Sequence, residues 1–186
     1  MDPDHPPGGL LLVIDMQEGF LKALPACDEL VRRVTFAVQA ARLFGWPVRF
    51  SEQVPDKLGA TLPALAPEDG TVFAKTAFSA FGATGLPESL KASHAQHLLL
   101  AGIETPICVY QTAIDALRAD YDVTLLADAL GARRSADAAA ALAELHAAGA
   151  HVVPSETVFY SLLRDASHPH FKALTRLVKE AGGDPS

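Results

Sequence analysis

The chain has 186 residues, of which 49% are hydrophobic and 20% charged, and this composition suits one folded domain spanning residues 1–186. Fifteen basic residues against 22 acidic residues give a net charge of −7, and no basic stripe with interleaved aromatic residues is present. Composition therefore argues against a nucleic-acid partner. The apolar runs 10–14 and 98–103 are far shorter than the ~20 residues that cross a bilayer, so we expect no membrane partner.

Residues 1–9 have neither the basic start nor the apolar centre of a secretory signal, and we predict that they form a disordered tail. The two cysteines, Cys27 and Cys108, cannot build a disulfide framework, and their spacing matches no zinc motif. No G-x-G-x-x-G follows the first apolar run, so a dinucleotide is not indicated. We expect a cytoplasmic protein without a cofactor.

Short apolar runs alternate with longer amphipathic stretches along the chain. The runs predict six strands, at 10–14, 47–51, 71–74, 97–102, 122–127 and 151–153. The amphipathic stretches predict helices at 28–44, 87–93, 105–119, 135–148, 156–163 and 171–181. The roughly 20 residues after the second strand contain several Pro and Gly, and this length favours a functional surface loop.

Strand–helix alternation predicts an α/β fold, in which helices cover both faces of a parallel sheet and make three α/β/α layers. In such doubly wound sheets, ligands bind beyond the carboxyl ends of the strands, where the strand order changes direction. The residues that follow the predicted strands are therefore the first candidates for a site.

Three chemically useful side chains lie just beyond predicted strand ends. Asp15 follows the first strand, Lys75 the third, and Cys108 lies in the turn after the fourth. Each residue alone has an ordinary structural explanation as a turn residue, a solvated charge or a small buried side chain. Their common position at one edge of the sheet favours a shared catalytic role.

The residues before Cys108 predict a helix start. Thr105 is a suitable N-cap and Pro106 a suitable first helical residue, which places Cys108 at the third helical position. The positive end of the helix is then expected to favour a thiolate, and nearby N–H groups could hold an oxyanion. Lys75 could add positive charge, and Asp15 could move a proton between the thiol and a leaving amine.

These segments resemble motifs of the isochorismatase-like hydrolase superfamily. Residues 13–20 (VIDMQEGF) resemble the first-strand motif, 73–81 (FAKTAFSAF) the lysine motif and 100–113 (LAGIETPICVYQTA) the nucleophile motif. Residues 51–61 (SEQVPDKLGAT) and 168–172 (HPHFK) are similar to the branch of isochorismatase-domain-containing and YcaC-like proteins.

The resemblance implies a six-stranded sheet in the order 3-2-1-4-5-6 and a cis peptide bond between Ile103 and Glu104. It also implies an oxyanion hole formed by the backbone N–H groups of Glu104 and Cys108, and a homo-oligomer, either a dimer or larger. Metal-binding relatives carry histidines after the second strand, whereas residues 51–74 contain none, so we expect no metal.

Together these features lead to the hypothesis of a cysteine-dependent hydrolase that cleaves a small amide or related C–N bond through a thioester on Cys108. Asp15 would act as acid and base, and Lys75 as an electrostatic partner. Gln53 and three aromatic residues, Phe20, Phe78 and Phe81, are candidate pocket residues for this small-molecule substrate, although core packing is the ordinary role of a Phe.

Two alternatives remain open from the sequence. A Cys-independent enzyme could hydrolyse a vinyl ether with Asp15 alone, as isochorismatases do. A catalytically silent interaction protein could also keep the same fold. Whether Cys27 lies near the site is open as well.

Overall fold

The computed structural model describes residues 8–182, in which six parallel strands form one sheet in the order β3-β2-β1-β4-β5-β6. The strands are β1 (Gly9–Ile14), β2 (Val48–Gln53), β3 (Val72–Lys75), β4 (His97–Ile103), β5 (Asp122–Gly131) and β6 (His151–Val153). The predicted α/β class and strand order are confirmed.

Helices cover both faces of the sheet. They are α1 (Glu18–Leu21), α2 (Cys27–Leu43), α3 (Pro55–Leu58), α4 (Leu86–Ala92), α5 (Tyr110–Arg118), α6 (Ser135–Ala147), α7 (Ser155–Leu163) and α8 (Phe171–Ala181). Helices α2, α7 and α8 share one hydrophobic core with one face, and α4, α5 and α6 share a second core with the other face. This arrangement gives the three predicted layers.

Strand β1 lies at the centre of the sheet, and its sequence shows why. Leu10, Leu12 and Ile14 pack into one core, whereas Leu11 and Val13 pack into the other, and none is more than 1% exposed. A strand that is buried on both faces needs a continuous apolar run rather than alternation. The run ends at Asp15, whose backbone turns away from the sheet with a φ of 52°.

The crevice for a ligand lies between β1 and β4, because the chain proceeds from β1 toward one edge of the sheet and from β4 toward the other. Gly102 of β4 pairs with Ile14 of β1 at this position and has a φ of 112°. A Cβ at Gly102 would overlap the carbonyl oxygen of Ile14. The glycine therefore lets the two strands approach closely beside Asp15.

The structure corrects several predicted boundaries. Strand β5 continues to Gly131, well past the predicted end at residue 127, because the β4–β5 register shifts between Leu100 and Gly102. The predicted loop after β2 contains α3 and a short 3₁₀ turn. Of the predicted disordered tail, residues 1–7 lie outside the described residues. The prediction was wrong for Gly9, which begins β1 against the ring of Trp46.

Between residues 8 and 182, no helix has both the length and the apolar character that crossing a membrane requires.

The close approach at Gly102 predicts that Gly102→Ala lowers the free energy of unfolding by roughly 3 kcal/mol or more, since the strand pair must separate. Gly149→Ala is the matched control, because Gly149 has a φ of 108° but no atom within 4 Å of an added Cβ. The control should lose about 1–2 kcal/mol from backbone strain alone. Equal losses in urea denaturation of the two variants would contradict the steric argument.

Candidate active site

A buried ion pair lies at the carboxyl ends of the central strands. Lys75 Nζ donates to Asp15 Oδ2 at 2.7 Å, and both side chains are 0% exposed. Ser51 Oγ donates to the other carboxylate oxygen, Asp15 Oδ1, at 2.7 Å. Sheet geometry explains this contact, because Ser51 pairs with Ile14, the residue before Asp15.

Further acceptors hold the ammonium group of Lys75. Its Nζ donates to Gln53 Oε1 at 2.7 Å and to the carbonyl oxygen of Phe78 at 3.0 Å. Gln53 is fixed in turn, since its Nε2 donates to the carbonyl oxygen of Thr76 at 2.8 Å. Lys75 is thus oriented by its neighbours and paired with one carboxylate.

The side chain of Gln17, which was not among the predicted site residues, hydrogen-bonds to the backbone beside the ion pair. Its side chain is buried, accepts from the backbone N–H of Gln53 at 2.7 Å and donates to the carbonyl oxygens of Gln53 and Gly59. It ties the residues after β1 to the end of β2. The motif that contains Gln17 was noticed, but nothing in the sequence indicated its partner.

Cys108 lies in a π-helical turn (Thr105–Val109) that continues directly into α5. The predicted cap was wrong: Glu104 occupies the N-cap position, and the Thr105 hydroxyl instead donates to the carbonyl oxygen of Gly131 at 2.9 Å. Cys108 is therefore the fourth residue of the turn. The backbone N–H groups of Ile107 and Val109, the residues on either side of Cys108 in the sequence, both donate to the carbonyl oxygen of Glu104.

The structure brings Cys108 into contact with the ion pair. Cys108 is 4% exposed, and the Asp15 carboxyl group and the backbone N–H of Glu104 lie near enough to its sulfur to shift the pKa of the thiol. The peptide bond between Ile103 and Glu104 is cis, as the resemblance implied. Asp15, Lys75 and Cys108, predicted from three distant segments, thus meet at one point.

The pKa of Cys108 is raised, opposite to the direction expected from a helix start. Burial, which is the largest effect, and the charge of the adjacent Asp15 carboxylate together raise this pKa to about 12. The charge of Lys75 and the N–H of Glu104 act in the opposite direction but do not outweigh these two effects.

The carboxyl group of Asp15 is also shifted. Burial raises the pKa of Asp15 above its ordinary value, against the opposing effects of the Lys75 charge and of hydrogen bonds from Lys75, Ser51 and Cys108. A carboxylate with a raised pKa takes a proton more readily than a solvated one. Asp15 is thus suited to accept the proton of Cys108 and to donate it afterwards.

A cavity of about 240 Å³ opens beside the thiol. Its lining includes Cys108, Gln53, Phe20 and Phe78, together with Gly19, Ala23, Leu24, Ile103, Glu104, Ile107 and Arg133. Phe81 was predicted to line the pocket, but it packs in the hydrophobic core against Tyr121, with ring centroids 6.2 Å apart. Cys27, half-buried at the start of α2, is not among the lining residues.

Sequence reasoning missed the charged pair on the cavity wall. Arg133 Nε donates to both carboxylate oxygens of Glu104, at 3.1 and 3.0 Å, and the backbone N–H of Arg133 donates to Glu104 Oε1 at 3.1 Å. Arg133 reaches the site because β5 extends to Gly131. With β5 predicted to end at residue 127, no signal placed this arginine near Cys108.

Within residues 8–182, the structure contains no cluster of three or more His, Cys, Asp or Glu side chains with the arrangement of a metal site.

Comparison with known proteins identifies relatives along nearly the whole chain. Isochorismatase domain-containing protein 2 of Xenopus laevis is 36% identical over 175 residues, covering 94% of this chain and 85% of that protein. The structure described as the MAR1 ribonuclease of Caenorhabditis elegans has a TM-score of 0.85 and 31% identity, covering 94% of this chain and 91% of that chain.

The crystal structure of YcaC from Escherichia coli, described as an octameric hydrolase of unknown specificity, has a TM-score of 0.86 at 22% identity. It covers 97% of this chain and 90% of that chain, and at this identity it supports the fold alone. The profile of the isochorismatase domain matches residues 9–157. The chain therefore belongs to the isochorismatase family of hydrolases, as the sequence motifs had indicated.

Proposed function

We propose that the protein hydrolyses a small amide or related C–N bond through a thioester on Cys108. One observation carries the proposal: Cys108, which lines the cavity, lies beside the carboxyl group of Asp15, which is itself paired with buried Lys75. A nucleophile, a base within hydrogen-bond reach and a group that orients the base are the elements of nucleophilic catalysis.

In the first half-reaction, the Asp15 carboxylate takes the thiol proton as the sulfur attacks the carbonyl carbon. The carbonyl π electrons move to oxygen, and the N–H groups of Glu104 and Cys108 stabilise the oxyanion. When the carbon–oxygen double bond re-forms, the C–N bond breaks. The amine leaves with the proton held by Asp15, and the acyl group remains on sulfur.

In the second half-reaction, Asp15 takes a proton from water as the water oxygen attacks the thioester carbon. Collapse of this intermediate breaks the C–S bond, releases a carboxylic acid and returns the proton to the sulfur. The net change is amide plus water to acid plus amine. Lys75 does not exchange a proton in either step; its charge keeps Asp15 ionised and oriented between steps.

The raised pKa of Cys108 supports this order of events. Because burial and Asp15 raise the pKa of Cys108 to about 12, a free thiolate would be scarce at neutral pH. The proton must therefore move to Asp15 as the carbon–sulfur bond forms. Coupled proton transfer of this kind is a form of general base catalysis.

We further propose a single domain in a cytoplasmic homo-oligomer, a dimer or larger, that acts on small molecules without a nucleic-acid or membrane partner. Phe78, 54% exposed at the cavity, is suited to a subunit contact. Although the C. elegans relative is described as a ribonuclease, a net charge of −7 and a cavity of about 240 Å³ favour a small substrate over RNA.

The thioester mechanism predicts that Cys108→Ala lowers kcat on a small amide substrate by at least about 10³-fold, because no nucleophile remains. Cys27→Ala is the matched control and should keep wild-type turnover. The measurement is a screen of amides, carbamates, ureides, vinyl ethers and a short RNA with all three proteins. Turnover of a vinyl ether or of RNA by the Cys108→Ala variant would contradict the mechanism. If the wild-type protein turned over none of the substrates, the result would favour a catalytically silent interaction protein.

The electrostatics of the site predict that Asp15→Asn lowers the pKa of Cys108. The substitution removes a negative charge that raises this pKa and leaves the charge of Lys75, which lowers it. Turnover should nevertheless be lost, since the base is gone. Thiolate absorbance near 240 nm, followed against pH in a Cys27→Ala background, measures the shift; an unchanged or higher midpoint in Asp15→Asn would refute the assigned coupling.

A further inference from the structure

We infer that Arg133 determines substrate specificity by binding a carboxylate on the substrate, at the end away from the bond that is cleaved. The inference rests on the proposed function, because it assigns a substrate class to the same cavity. The substrates would be small amides that also carry a free carboxylate.

The composition of the cavity wall leads to this assignment. Most lining residues are apolar, and the Gln53 side chain is already bonded to Lys75 and Thr76. Among the lining residues, Arg133 supplies the positive charge. The Glu104 carboxylate also lines the cavity, but both of its oxygens are bonded to Arg133. A small, largely apolar pocket with a cation held in this way suits a ligand with a short carbon chain and one anionic group.

The hydrogen bonds of Arg133 leave its outer edge available. Nε is bonded to Glu104, whereas the bonds found within residues 8–182 do not use Nη1 or Nη2. Two parallel N–H groups on a planar guanidinium match the two oxygens of a carboxylate. Glu104 therefore acts as the orienting partner, since it fixes the inner edge of the guanidinium and leaves the outer edge for a ligand.

Position also favours this role. The Arg133 side chain is 55% exposed, so a ligand can reach it, while Glu104 is 14% exposed and anchored behind it. Arg133, Glu104 and Cys108 all line this one cavity, so a ligand bound by the guanidinium lies in the same space as the sulfur. Because the whole protein carries a charge of −7, selectivity for an anion must come from this local contact rather than from long-range attraction.

The test compares amides that differ in charge but hardly in shape. Malonamate, succinamate and glutaramate each carry a carboxylate, and malonamide, succinamide and glutaramide are their neutral counterparts. Wild-type kcat/KM should favour at least one of the acids by about 10-fold or more, the advantage of hydrogen bonds to a charged group. Equal turnover of acids and diamides would overturn the inference.

Arg133→Met should raise KM for the preferred acid by about 10- to 100-fold, with kcat within about 3-fold and the diamide unaffected. Arg133→Lys should recover part of the preference for the acid over the diamide, because Lys restores the positive charge but not the two parallel N–H groups of the guanidinium. Arg134→Met is the matched control, since Arg134 pairs with Asp137 and does not line the cavity. A fall in kcat for acid and diamide alike would assign Arg133 a structural role instead.

A binding measurement separates this inference from the proposed function. Calorimetry with malonate, succinate and glutarate on the Cys108→Ala protein requires no turnover. If amides are not hydrolysed but one diacid binds and Arg133→Met weakens it by about 10-fold or more, the proposed function fails and this inference stands. If no diacid binds, or Arg133→Met leaves its affinity unchanged, the inference is overturned.

Discussion

The ion pair between Asp15 and Lys75 is the constraint on which the site depends. Both side chains are fully buried, and removing two charges from water costs several kcal/mol per ion unless close contacts compensate. The compensation is local: Ser51 donates to the free carboxylate oxygen, and Gln53 accepts from the ammonium group. The ends of β1, β2 and β3 must therefore keep fixed positions relative to one another. The hydrogen bonds between the Gln17 side chain and the backbone of Gln53 stabilise this arrangement.

The same pair also acts on the thiol of Cys108. Cys108 is buried beside a carboxylate, and both conditions raise the pKa of its thiol. In the proposed mechanism, the sulfur attacks a substrate carbonyl while Asp15 takes the proton of the thiol, so no free thiolate is needed before the substrate binds.

Much of the fold and the meeting of three site residues could be predicted from the sequence. The apolar run of β1 and its end at Asp15 are local signals, and parallel strands bring their carboxyl ends to one edge of the sheet. The family resemblance added the strand order and the cis bond before Glu104.

The remaining features depend on contacts that leave no local signal. Arg133 reaches the cavity because of a register shift between β4 and β5. The hydroxyl of Thr105 donates to the carbonyl oxygen of Gly131 rather than capping its own helix. Phe78 and Phe81 belong to the same sequence motif, yet Phe78 lines the cavity and Phe81 packs into the core. The pKa of Cys108 was predicted in the wrong direction, because burial and the neighbouring Asp15 carboxylate, which the sequence does not report quantitatively, raise it.

Acid quenching during turnover of an amide substrate, followed by mass spectrometry of the peptide that contains Cys108, tests the thioester most directly. The predicted result is a mass increase on Cys108 equal to the acyl half of the substrate in the wild-type protein, and no increase in Asp15→Asn. Turnover without any adduct under conditions where deacylation limits the rate, or an adduct on Cys27 in place of Cys108, would contradict the mechanism.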